Sequence, residues 1–247
     1  MSKPIQYQKG YVEFYKLKFR VTPDVLIPRP ETELLVDQVL SYLQATNYKL
    51  TTTIIDLGTG SGNVAISIAK QLPTWNMGIQ IIATDVSVKA LTVAKQNAKL
   101  HGVQDRITFI QSNLLNVIAR NTVTKQSILR LPRSPRRPRN DRLIIVTNLP
   151  YIPSARIPYL DSSVKDYEPH VALDGGEDGF ALYRKLFAQI RKKDRQPNFL
   201  IGEIDYTHGE LAVNEALKFF PDTKVEVKTD LAHKQRILTI DWVIPAK

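Results

Sequence analysis

The chain contains no cysteine, which excludes disulfides, cysteine-ligated zinc and thiol nucleophiles. Its four histidines are scattered, with no HxH or HxxxH pair, so no metal site is expected. Apolar runs are short, as in LIIV at 143–146, and none is long enough for a membrane helix. The opening stretch MSKPIQYQKG has no apolar core of the kind a secretory signal needs. These absences make the cytoplasm the expected location. Acidic residues are also scarce, 24 against 34 Lys and Arg, for a formal charge of +10.

That charge is local. Arg120, Lys125, Arg130, Arg133, Arg136, Arg137, Arg139 and Arg142 face a single acid, Asp141, so this stretch carries +7 of the +10. It has three prolines and no apolar periodicity, and reads as a mobile basic insertion over 118–141. It serves either as a solvated loop or as a contact to RNA or the ribosome, since arginine pairs with phosphate through two hydrogen bonds. The rest is nearly balanced, and 247 residues with 43% hydrophobic content suit one large α/β domain.

Seven segments read as strands: 54–57, 81–84, 107–110, 143–147, 199–204, 224–228 and 236–243. The first, second and fourth are continuous apolar runs, as in strands buried on both faces of a parallel sheet. Helical patterns lie between them. Residues 62–72 place Val64, Ile68, Ala69 and Leu72 on one face, and 88–101 place Ala90, Leu91, Ala94 and Ala98, with Ser87 as N-cap and Gly102 past the end. Residues 31–43 form a third helix with Leu34, Leu35, Val39 and Leu43 inward and Pro30 in its first turn. Residues 10–27 suggest a short β-hairpin. Alternation of strands and helices implies a doubly wound sheet. Thr229 to Gln235 is too short for a crossover, so the last two strands should form an antiparallel hairpin.

DLGTGSGN (56–63) follows the first strand of the large sheet and opens a helix. Gly58, Gly60 and Gly62 permit a tight turn and close approach of a ligand to the backbone, and Thr59 lies among them. An acid, Asp56, precedes the glycines. It would repel a pyrophosphate and attract the ammonium of a methionine moiety. Asp85 ends the next strand, where a carboxylate can accept two ribose hydroxyls. The pair favours S-adenosylmethionine over NAD. A strand-to-helix turn with a capping Asp is the structural alternative. Asn113 ends the third strand, where its oxygen can accept the adenine amino group or simply form a turn.

TNLPYIP (147–153) follows the fourth strand. Methylating an NH2 group requires its hydrogens to be held while the nitrogen lone pair faces the methyl donor. Asn148 can accept one N–H and the carbonyl of Leu149 the other. Pro150 stiffens the turn, and Tyr151 offers a flat face to a planar amide or base. Catalysis would then rest on positioning in a water-poor pocket.

With these motifs the chain resembles the bacterial release-factor glutamine methyltransferases, the HemK/PrmC family, from about Gly10 to Trp242. VLIPRPETELLV (25–36) looks like the family's entry signature, and YEPHVALDGGEDGFALYRKL (167–186) like its EP-x-x-AL-x-GG-x-DG segment. The resemblance implies a Rossmann-like class I methyltransferase domain over 25–247, with a mostly parallel seven-stranded sheet, behind an N-terminal segment at 1–24. It implies S-adenosylmethionine as methyl donor and S-adenosylhomocysteine as product. The substrate would be the glutamine of a GGQ loop in a peptide chain release factor. Arg29, Glu31 and Thr32 would line the cleft over the cofactor, and Glu168 with Pro169 would lie near the catalytic turn. Asn148 would also touch the cofactor.

Four features depart from that pattern. Only about two dozen residues precede the signature, where the family usually has a helical domain that grips the release factor. Leu149 stands where the family usually has Pro, and NLPY is the spelling common in adenine-N6 methyltransferases. EIDYTHGE (203–210) and DLAHKQR (230–236) are less glycine-rich than the family's versions. The basic insertion has no counterpart. Two other readings therefore stay open, an adenine-N6 methyltransferase acting on RNA or DNA and a non-catalytic protein that binds RNA or ribosomes.

Overall fold

The computed structural model describes residues 3–46, 51–73, 78–116, 141–194 and 196–242. The chain begins with a short helix α1 (Ile5–Lys9) and a hairpin of β1 (Tyr11–Phe14) and β2 (Leu17–Arg20). Tyr15 and Lys16 turn that hairpin with φ of 51° and 59°. Two left-handed central residues match the twist of the flanking strands. After a turn at Pro30–Thr32 come α2 (Glu33–Ala45), β3 (Thr52–Leu57), α3 (Asn63–Gln71), β4 (Ile79–Asp85) and α4 (Val88–Leu100). Then follow β5 (Ile107–Gln111), β6 (Arg142–Thr147), α5 (Ser162–Lys165), α6 (Ala181–Arg191) and β7 (Phe199–Glu203). The described chain closes with α7 (Gly209–Phe219), β8 (Lys224–Thr229) and β9 (Gln235–Asp241).

The large sheet has seven strands in the order β5-β4-β3-β6-β7-β9-β8. β5 through β7 are parallel, and β9 runs antiparallel to both β7 and β8. Each of the seven expected strands is present, and the last two form the antiparallel hairpin inferred from their short connection. β9 ends at Asp241 rather than 243, and β7 at Glu203 rather than 204. The edge strand β8 alternates exposed and half-buried residues. Lys224, Glu226 and Lys228 lie on its exposed side and discourage pairing with another chain.

Two cores explain the unbroken apolar runs. Ile54, Ile144 and Ile201 face one cluster with α2 and α3, while their neighbours Ile55, Ile145 and Leu200 face another with α6 and α7. Successive side chains of a strand point to opposite faces, so a strand covered on both sides needs apolar residues throughout. The pattern expected for α3 was too narrow: it is buried nearly all round, including Ala65, Ile66 and Ser67. In α2, Leu34 is only partly buried and Val36 takes its place inside. α4 buries Ala90, Leu91, Ala94 and Ala98 as expected. Ser87 Oγ accepts from the Ala90 amide at 3.2 Å, a cap that contributes about 1 kcal/mol.

A third cluster fastens the N-terminal segment to α4. Tyr7, Val21, Val25 and Ile27 pack on Ala90 and Val93. Fully buried Asn97 completes the join. Its Oδ1 accepts from Arg20 N at 2.8 Å, and its Nδ2 donates to the carbonyls of Arg20 (3.0 Å) and Ser61 (2.8 Å). The hairpin is thereby tied to the glycine loop. Residues 117–140 lie outside the described residues, so the expected basic insertion falls there almost entirely.

Candidate active site

In an open α/β sheet ligands bind beyond the carboxyl ends of the strands, where the strand order reverses. Here the reversal lies between β3 and β6. A cavity of about 240 Å³ opens there. Asp56, Gly58, Thr59 and Gly60 line it after β3, Asp85 after β4, Asn113 after β5, and Asn148, Leu149 and Pro150 after β6. Arg29, Thr32 and Pro169 form part of the same wall.

Asp56 is buried, and a single oxygen, Oδ2, accepts from Thr59 Oγ1 (2.7 Å) and Ala65 N (3.2 Å). Burial pushes its carboxyl up to about 7, against the two hydrogen bonds that lower it. The side chain thus caps the start of α3 at the edge of the cavity. Asp85 accepts from Gly60 N at 2.9 Å and Ser87 N at 2.8 Å, one on each oxygen. Burial raises its carboxyl above the ordinary range. A carboxylate has about four acceptor positions, so capacity remains for hydroxyls.

Gly58 and Gly60 have φ of 71° and 53°, the left-handed region that other residues rarely enter. Gly62 also has a positive φ, 83°, yet it lies off the cavity wall. A Cβ there would meet Ile66 Cδ1 at 2.8 Å and Ala94 Cβ at 3.2 Å. The absence of a side chain there lets α3 approach α4 closely.

The turn at 148–151 is held from behind by Glu203, at the end of β7 and 1% exposed. Asn148 Nδ2 donates to Glu203 Oε2 at 3.0 Å and to Thr32 Oγ1 at 3.1 Å. Thr32 Oγ1 donates to the same Oε2 at 2.6 Å, and Tyr151 OH donates to Oε1 at 3.0 Å. Burial raises the Glu203 carboxyl, while the bonds from Thr32 and Tyr151 lower it. Tyr151 is itself pushed upward by burial and by Glu203. With Nδ2 occupied twice, Asn148 offers Oδ1 to the cavity. Among the described residues nothing donates to that atom or to the Leu149 carbonyl. Tyr151 sits beside the cavity rather than on its wall.

The segment around 167–186 is the scaffold of that turn. Ile152 N donates to Leu173 O at 3.1 Å, and Gly175 N to Ile152 O at 2.9 Å. Tyr183 OH donates to the Glu203 carbonyl at 2.6 Å. Arg184 clamps Asp178 through both terminal nitrogens, at 2.9 and 2.6 Å, and Glu215 through Nε at 3.0 Å. Glu168 lies behind the wall, where it pairs with Arg29 and accepts from Ile27 N at 3.3 Å. Glu31 is exposed and does not reach the cavity.

Sequence reasoning missed Glu203, Asn97 and Lys185, the last of which lines the cavity from α6. Glu203 had a readable signal. It is an acid ending a buried apolar strand, like Asp56 and Asp85, but it lies outside any glycine-rich motif. Nothing in the sequence marks Asn97 beyond a polar residue on an apolar helix face.

The strand order and a cavity set between an acid-bearing glycine loop and an Asn-Leu-Pro-Tyr turn define a class I methyltransferase. A family described as "Methyltransferase domain" matches residues 49–128. The release factor glutamine methyltransferase of Lactococcus lactis subsp. lactis is 34% identical over 97% of this chain and 77% of that protein. That of Moorella thermoacetica is 37% identical, over 94% and 73%. This chain belongs to the release factor glutamine methyltransferase family. Among solved structures, the catalytic domain of hMettl16 in complex with MAT2A 3′UTR hairpin 6 has a TM-score of 0.64 at 14% identity, over 94% of this chain and 78% of that one. The ribosomal protein L11 methylase from Lactobacillus delbrueckii subsp. bulgaricus scores 0.54 at 19%, over 90% and 84%. At such identities the likeness is one of fold. Among the described residues no helix is long and apolar enough to cross a membrane.

Proposed function

We propose that the chain methylates the side-chain amide nitrogen of a glutamine, that of the GGQ loop in a peptide chain release factor, with S-adenosylmethionine as donor. The observation that carries this reading is the pinned amide of Asn148. Its Nδ2 is held by Glu203 and Thr32, so Oδ1 and the Leu149 carbonyl remain as two acceptors for the two hydrogens of a planar NH2. S-adenosylmethionine, when bound, supplies an electrophilic methyl group on a sulfonium centre. The cavity's donor set suits it: Asp56 offers a negative charge to an ammonium, Asp85 offers acceptors to a diol, and Val86, Leu114 and Leu182 offer an apolar wall to a ring. Asn113 is placed to accept from an exocyclic amine.

The chain's own part is positioning. Pro150 fixes the turn that aims both acceptors, and holding a reactant in register lowers the barrier by removing orientational freedom. Arg29, Thr32 and Pro169 help to close the cavity and limit water. A glutamine amide and an adenine amine both present a planar NH2. The relatives' glutamine activity and the segments at 25–36 and 167–186 favour glutamine. On this reading 25–247 is the methyltransferase domain, 1–24 an N-terminal segment, and the enzyme works in the cytoplasm on a translation factor.

Transfer of labelled methyl from S-adenosylmethionine to a release factor, beside its GGQ Gln→Ala variant and ribosomal RNA, tests the proposal. Label on the unmodified factor alone supports it. Label on RNA would assign the chain to the adenine enzymes instead, with the 120–142 arginine stretch as the candidate RNA contact.

A further inference from the structure

Glu203 raises a question of cost. A buried carboxylate is unfavourable unless donors surround it, and here Thr32, Asn148 and Tyr151 supply them. None of the three is a cation, and Arg236, whose charge also favours the ionised form, makes its ion pair with Asp230 instead. The distinguishing property of Glu203 is chemical: an ionised carboxylate only accepts hydrogen bonds. Thr32 adds to this, because its hydroxyl hydrogen goes to Glu203 and leaves lone pairs facing Asn148. Asn148 therefore meets acceptors on that side from both neighbours.

An asparagine amide can turn over, exchanging oxygen and nitrogen with little change of shape. Turned over, Asn148 would present a donor to the substrate nitrogen and repel the hydrogens it must hold. We propose that Glu203 is a positioning residue that sets the orientation of the Asn148 amide and so makes its oxygen, not its nitrogen, the group that faces the amine to be methylated. This rests on the reading that Asn148 accepts a substrate N–H. Tyr151 holds the carboxylate and Tyr183 holds the backbone carbonyl of the same residue, which links the 167–186 segment to the reacting group through Glu203.

The test is Glu203→Gln in the full chain, assayed for methylation of a release factor once the unmodified enzyme has been shown to act on it. An unmodified enzyme that does not act overturns the functional reading before any variant is compared. The expected result is a fall in kcat on the order of 10²-fold, with affinity for S-adenosylmethionine unchanged within about threefold. Adding Asn148→Asp should restore kcat by roughly tenfold or more over the single variant. The amide at 203 would then donate to a carboxylate at 148, whose other oxygen still faces the amine. Turnover of Glu203→Gln within about twofold of the unmodified enzyme overturns the proposal, and so does a double variant no better than the single one. If Glu203→Gln does not fold, Thr32→Ser and Thr32→Val read the same contact. Valine should give a kcat about tenfold below that of serine, and equal values for the two contradict the assignment.

Discussion

A Cβ on Gly175 would stand 2.8 Å from the carbonyl oxygen of Pro150 and 2.6 Å from that of Gly179. The glycine-rich segment thus lies backbone against backbone on the Asn148–Tyr151 turn, and a side chain there must push the turn itself. Gly175 has no left-handed φ, so the contact is purely one of space. Gly175→Ala should cost about 1–3 kcal/mol and lower kcat more than it alters affinity for S-adenosylmethionine. Thermal melting beside steady-state kinetics checks this. A variant with unchanged kcat would show that the turn keeps its geometry without the segment.

Asp56 predicts a conflict between stability and binding. Its carboxyl titrates at about 7 in the folded protein without cofactor, against an ordinary value of 3.8. Between those values the folded state holds a proton that the unfolded chain has released, so this group's contribution to stability is complete at low pH and is lost as pH rises through about 7. Asp56→Asn can keep both internal hydrogen bonds, since both donors meet one oxygen. The variant should melt above the unmodified protein near pH 8, with the difference disappearing near pH 4. Its affinity for S-adenosylmethionine should fall and lose its rise through pH 7. Calorimetry at several pH values reads both effects, and undiminished affinity would contradict the charge role.

The pair of Arg29 and Glu168 joins the cavity's roof to the 167–186 segment. Glu168 is 1% exposed in its side chain and Arg29 34%. Removing the arginine leaves a buried acid whose only hydrogen-bond partner among the described residues is the Ile27 amide. Arg29→Ala should cost about 2 kcal/mol, less than a fully buried pair because the guanidinium is partly in water. Adding Glu168→Gln should recover most of it. Urea unfolding of the two single variants and the double gives the coupling, and a value below about 0.5 kcal/mol would show that the pair does not act as a unit.

Most of the fold was legible because the sheet's strands are buried on both faces. Double burial forces unbroken apolar runs such as LIIV, and these stand out against amphipathic helices. The short Thr229–Gln235 connection left no room for a crossover, which settled the direction of the last strand. The faces of α2 and α3 were less legible. A helix wedged between a sheet and two other helices has no solvent side, so periodicity in α3 underreports its burial. In the site, Asp56, Asp85 and Asn148 were readable because they end strands beside turn-forming residues. Glu203 acts through contacts 55 and 171 positions away in sequence, with Asn148 and Thr32, and only folding brings these together. The packing of Gly62 against Ile66 and Ala94 is not legible in the glycine motif either, because Ala94 comes from another helix.

The role of Asn148 separates chemistry from cofactor binding. Asn148→Ala removes one acceptor for the amine while leaving Asp56 and Asp85 intact. Turnover should drop by on the order of 10²–10³-fold, with affinity for S-adenosylmethionine within a few-fold of the unmodified enzyme. Loss of both together would mean that the residue serves the cavity's architecture rather than the transfer.

The most direct measurement is the position of the new methyl group. A release factor incubated with the enzyme and S-adenosylmethionine would be digested and its GGQ peptide fragmented in a mass spectrometer, with ribosomal RNA treated in parallel and digested to nucleosides. Methyl on the glutamine amide nitrogen, absent with Asn148→Ala, is the predicted result. Methyl on the adenine N6 of the RNA, with the peptide unmodified, would contradict it.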